Sequence, residues 1–142
     1  MADANGGNWS TTNPAKLASG TVHDAAIRRH RNVFDLATNG GGGAQSQLVV
    51  AKLREGNALE SAKLSSTVDL SALTFSVGTD ADNAKYAAAV AGPAANATVT
   101  YVIKPAALAA DALTTPEVVK FYPSGNLPAA GTVIGQVNSS MR

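Results

Sequence analysis

An all-β domain of antiparallel strands, closed as a sandwich or barrel, is the fold class that this sequence predicts. Three observations predict it. Apolar residues recur with period two or in short continuous runs, turn residues separate those runs, and helical periodicity is scarce. About eight runs of this kind are the expectation for two packed sheets, with one or two short helical turns between them. At 142 residues one domain of this kind buries roughly 70% of the surface its unfolded chain exposes, enough for a core without staples.

Taken in order, residues 1–19 are rich in Gly, Asn, Ser and Thr, with Asn13-Pro14 as a breaker and Trp9 as the one large apolar group. This predicts an extended arm ahead of a single domain at 20–142. A short strand near Thr21 and Val22 opens the domain. In "RNVFDLAT", Phe34 and Leu36 alternate with Asp35; "QLVVAKL" at 47–53 is a β-rich run; "LESAKLSST" at 59–67 is a more polar one. "ALTFSVG" sets Leu73, Phe75 and Val77 on one face against Thr74 and Ser76, and "ATVTYVIK" sets Val99, Tyr101 and Ile103 against Thr98, Thr100 and Val102. "EVVKFYP" and "GTVIGQVN" close the series. Two alanine-rich stretches interrupt it. "DADNAKYAAAVA" at 80–91 predicts one or two helical turns capped by Asp80 or Asp82 and stopped by Gly92-Pro93. "PAALAADAL" at 105–113 has room only for a short helix or an irregular crossing loop.

The totals exclude several functions. With no cysteine, disulfides and thiolate metal sites are impossible. Eleven basic against ten acidic side chains give no footprint of a general nucleic-acid binder. No run approaches 18 apolar residues and the N-terminus lacks a signal pattern, so neither a membrane span nor secretion is expected, and synthesis is expected to be cytoplasmic. Charged residues make up only 15% of the chain, a lightly charged surface that suits a protein working against a partner.

No constellation carries catalysis or a cofactor. Gly40, Gly41, Gly42 and Gly43 lie between two strand-like runs, without the Gly-Lys-Ser/Thr ending and the helix that a phosphate-cradling loop requires. They read instead as a long strand-to-strand connection with reach. His23 and His30 would need a third and usually a fourth partner to hold a metal, and Asp24 is the only nearby candidate; no Gly-x-Ser-x-Gly elbow is present. Asp80 and Asp82 stand where a calcium loop begins, but Ala84 and Lys85 occupy its fifth and sixth positions. The strongest charge feature is "RRHR", where Arg28, Arg29 and Arg31 surround His30. Such arginines could grip phosphates or pair with carboxylates on a protein partner through bidentate contacts; carboxylates are favoured because no other basic run or aromatic interleaving extends a nucleic-acid track, and a solvated basic edge is the alternative.

The stretches "VHDAAIRRHRNVFDLA", "KLREGNAL" leading into "KLSSTVDLSALTFSVGTDADNAKYAAA", and "LPAAGTVIGQV" cover most of residues 21–138. In them the chain resembles the small auxiliary head proteins of tailed bacteriophages, the decoration or cement proteins that bind the outside of an assembled capsid. The resemblance implies a jelly-roll β-sandwich that oligomerises, as a dimer across capsid two-fold axes or, in other lineages, as a trimer.

The expectation is therefore a non-enzymatic virion structural protein on the outer capsid surface. Its partners would be the major capsid protein and further copies of itself, a dimer being favoured over a trimer. Cofactor, nucleic acid and membrane are not expected. Contacts are expected at Trp9, at Arg28, Arg29 and Arg31, and at Gly40, Gly41, Gly42 and Gly43. The competing expectation is a carbohydrate-binding or adhesion sandwich, which usually stacks sugars on exposed aromatics. Phe34, Phe75 and Tyr101 fall on core faces in this reading, and Tyr86, Phe121, Tyr122 and Trp9 are too dispersed to form a platform.

Overall fold

A computed structural model describes residues 27–38 and 47–141. The arm with Trp9, the strand proposed near Thr21 and Val22, His23, and the glycine run Gly40–Gly43 lie outside the described residues.

Eight strands and one helix follow in order: β1 (Arg28–Asp35), β2 (Leu48–Leu53), β3 (Asn57–Ser66), β4 (Thr74–Gly78), β5 (Ala87–Ala91), β6 (Ala97–Tyr101), α1 (Pro105–Ala109), β7 (Glu117–Pro123) and β8 (Thr132–Met141). They form two four-stranded sheets, β1-β8-β3-β6 and β2-β7-β4-β5, and every pairing is antiparallel. β1 pairs with β8, β2 with β7, β3 with β6 and β4 with β5. One long hairpin, its second half retracing its first, has thus rolled into a sandwich, which is the jelly-roll topology. β3–β8 and β4–β7 pairing completes the sheets.

The period-two patterns place the core as expected. Along β8, Val133, Gly135, Val137 and Ser139 are buried while the residues between them are not. Phe75 and Val77 of β4, Val119 and Phe121 of β7, and Leu64 of β3 are fully buried between the sheets. Full burial of each large apolar side chain contributes about 1.5–3 kcal/mol. Tyr101 and Phe121 meet edge to face, with ring centroids 5.2 Å apart, the arrangement aromatic quadrupoles favour. The sheets pack closely at Gly135, where a Cβ would lie 2.6 Å from Val50 Cγ2 of the facing sheet, so any larger residue forces the neighbours to shift.

Two expectations are corrected. The stretch at 80–91 is not helical. Asp80 caps nothing there, and Asp82 accepts the Ala84 N–H at 3.0 Å within a turn. The Tyr86 N–H then bonds the Val77 carbonyl at 2.9 Å, and Ala87–Ala91 runs back along β4. Alanine's helical preference amounts to only about 0.5 kcal/mol per residue over its competitors, and a helix this short bears the full cost of nucleation. Backbone pairing with β4 and burial of Tyr86 and Ala87 outweigh both. Further, Tyr86, Phe121 and Tyr122, left outside the core on sequence grounds, are buried. The 105–113 stretch does hold a single short helix, started by Pro105 and ended at Ala110.

Candidate functional site

The sandwich has two sides on which strand edges are unpaired by the sheets. One is formed by β1 and β2, the other by β5 and β6. They differ in chemistry, and candidate contacts lie on both.

β1 carries the arginine cluster, and strand alternation divides it. Arg28 and His30 stand opposite Ser139 and Val137, on the face that turns toward the core. Arg29 and Arg31 stand opposite Asn138 and Gln136, on the outer face of the sheet. All three arginines are exposed. "RRHR" is therefore two features, one at the side of the sandwich and one on its outer surface. His30 Nε2 lies 3.0 Å from Ser139 Oγ, a hydroxyl on a fully buried residue, which fixes the ring. Asn32, next on the same side of β1, donates from Nδ2 to the Val49 carbonyl of β2 at 2.9 Å and ties the two edges together.

That closure brings in two residues the sequence reading left out. Arg28, His30, Lys52 and Arg54 line one pocket of about 300 Å³, with Leu53 and Asn57 also in its wall. Lys52 lies on β2 and Arg54 in the turn after it. Nothing in local sequence joins them to Arg28, because the neighbourhood exists only once the two sheets have closed. Asn57 is buried and its Nδ2 donates to the Arg54 carbonyl at 3.3 Å, which fixes the turn.

On the other side, strands β5 and β6 carry no charged residue. They read "AAAVA" and "ATVTY", with Val90 of β5 41% exposed and Val102, just after β6, 83% exposed. Exposed strand edges are ordinarily blunted by lysine, proline or a covering segment. Neither strand has a lysine or a proline.

The β2-β7-β4-β5 sheet holds two local charge networks, one on its outer face at Lys120 and one at the start of β7 at Glu117. Lys120 Nζ pairs with Asp80 at 2.7 Å, and the Tyr122 hydroxyl donates to the same carboxylate at 2.9 Å. The Lys120 hydrogen bond first, then that of Tyr122, holds the Asp80 carboxyl below its ordinary value of 3.8. Burial, followed by the hydrogen bond to Asp80 and its charge, pushes the Tyr122 phenol up to about 12. Lys85 and the Tyr86 hydroxyl both donate to Glu117, at 2.7 and 2.9 Å. Asp80, expected from the sequence to cap a helical turn, is thus a structural anion that ties the β4–β5 turn to β7.

Among the described residues no three His, Asp or Glu side chains gather to hold a metal, and no helix is long and apolar enough to cross a membrane. Five of the six described aromatics are buried and Phe34 is packed against the core, so none of them offers the open ring a sugar platform needs.

No protein-family model matches the chain and no curated protein matches it by sequence. Solved structures do match it. A chain of the cyanophage Pam1 capsid asymmetric unit aligns over 100% of both chains with a TM-score of 0.64 at 17% identity. A chain of the acid-stable capsid of the Helicobacter pylori bacteriophage KHP30 aligns over 82% of this chain and 89% of its own, with a TM-score of 0.56 at 13% identity. A chain of the Ralstonia phage GP4 capsid aligns over 84% and 86%, with a TM-score of 0.57 at 15% identity. The fold of this chain is accordingly a jelly roll of the kind found in three phage capsid structures.

Proposed function

We propose that this chain is a non-enzymatic structural protein of a phage virion, which binds the outer surface of the assembled capsid and cements neighbouring subunits. The observation that carries the reading is the end-to-end match to a chain of the Pam1 capsid, which covers 100% of each partner. A match complete in both directions means that the capsid chain is also a single small sandwich, a size that suits an addition to a shell. The two unlike sides of the molecule support the reading, because a cement needs more than one attachment surface. Each copy then adds a modest contact, and binding only the assembled lattice draws the equilibrium away from disassembly.

The protein acts as a homodimer through β5. An antiparallel pair of β5 strands about a two-fold centred on Ala89 sets each residue against its counterpart, apolar against apolar, and satisfies the open backbone groups of both edges. The arginines of the opposite side remain free for the shell.

Rebinding to heads stripped of auxiliary proteins tests the reading. The purified chain is expected to return in a fixed copy number at one class of symmetry position, seen by electron microscopy. Failure to bind heads, or equal binding to unassembled capsid subunits, would overturn it.

A further inference from the structure

We propose that the pocket between β1 and β2 is an oxyanion-binding site, built by Arg28, His30, Lys52 and Arg54 to take a carboxylate or phosphate group. The proposal stands apart from the capsid reading, since it concerns the isolated chain.

Its basis is convergence without compensation. Two segments distant in sequence, β1 and the stretch from the end of β2 through the turn at 54–57, deliver Arg28, His30, Lys52 and Arg54 into one recess of about 300 Å³. Among the described residues no carboxylate lines that recess. Glu55, the nearest acid in sequence, lines a neighbouring recess with Lys52 and Arg54. Among the described residues Arg28, Lys52 and Arg54 make no ion pair, whereas Lys85 and Lys120 each meet a carboxylate at 2.7 Å. Like charges held together repel, and a recess of one sign concentrates counter-ions. The missing partner is an anion.

The components are also held in place, which separates a site from a solvated edge. Ser139 fixes the His30 ring through Nε2 and leaves Nδ1 without a partner among the described residues. Asn57 holds the turn that presents Arg54, and Asn32 locks β1 to β2. Two guanidinium forks across a pocket match the planar oxygens of a carboxylate or the oxygens of a phosphate.

The full chain is titrated at constant ionic strength by exchanging sodium chloride for disodium succinate in one series and for sodium phosphate in another, with amide and Arg Nε shifts followed by NMR. Saturable shifts confined to residues 28–30 and 52–57 are expected. Tighter succinate binding identifies acidic side chains as the natural source, and tighter phosphate binding identifies a phosphoryl group. Arg28→Gln with Arg54→Gln should weaken binding about tenfold or more, as charge-assisted hydrogen bonds are lost. Arg29→Gln with Arg31→Gln removes the same charge from the outer face and should change affinity by no more than about twofold. Shifts that scatter over the surface without saturating would overturn the proposal, as would equal losses in the two double variants. The wild-type titration decides the matter even if a variant fails to fold.

Discussion

The β1/β2 side and the β5/β6 side occupy equivalent places on the sandwich, yet β1 is dense in positive charge and strands β5 and β6 carry none. β1 alone carries Arg28, Arg29, His30 and Arg31, while β5 and β6 together have no charged residue in ten positions. Both sides end a four-stranded sheet, so backbone chemistry is the same; the side chains decide what each edge can meet. A charged edge repels a copy of itself and attracts an opposite charge. A bare edge accepts another strand, and the nearest identical bare edge is on a second copy. One molecule thus has a side suited to self-association and a side suited to a different, anionic surface.

The largest expected effect breaks the bare edge. Ala89→Lys places two lysines opposite each other in the β5–β5 pair, where like charges destabilise directly. The solution mass, measured by light scattering, should fall from dimer to monomer while the circular dichroism spectrum is unchanged. A mass that stays dimeric would move the self-contact away from β5.

A smaller effect tests whether the two sides depend on one core. Gly135→Ala drives a Cβ toward Val50 Cγ2, 2.6 Å away on the facing sheet, and Phe121 lies next to the same point. Overpacking of this kind costs about 1–3 kcal/mol, which urea unfolding should report. Dimer mass and oxyanion affinity are expected to survive in the folded fraction, since neither side includes Gly135.

The smallest effect concerns the Asp80 network that ties the β4–β5 turn to β7. A carboxyl whose folded-state value is depressed adds stability above its unfolded-state value, and that contribution is lost as pH falls through the folded one. With Asp80 held below 3.8 mainly by Lys120, Lys120→Met should raise its titration midpoint toward 3.8, read from side-chain carboxyl NMR. Asp80 is solvent-exposed, so thermal unfolding at neutral pH should hardly move.

The contrast between the two sides also separates what was legible in the sequence from what was not. Alternation in "GTVIGQVN" and "ALTFSVG" is a direct imprint of strand geometry, and the core followed it at Val133, Val137, Phe75 and Val77. β5 was hidden because alanine carries no β signal of its own. Only pairing with β4, formed by a turn at Asp82, makes "AAAVA" a strand. Phe121 and Tyr122 were missed for another reason: β7 is buried on consecutive residues, so no alternation marks its faces. The arginine cluster was visible, but as one feature. Its division between two faces follows from strand period, while the arrival of Lys52 and Arg54 beside Arg28 follows from closure of the sandwich. No local pattern records such an approach.

Heat stability of phage heads decides whether this chain cements a shell. Heads stripped of auxiliary proteins, and the same heads reloaded with the purified chain, are warmed in parallel while DNA release is followed by dye fluorescence. Release at a higher temperature is expected from reloaded heads, with the gain saturating as the binding sites fill. Heads that fill with the chain and still release their DNA at the stripped temperature would contradict a cementing role.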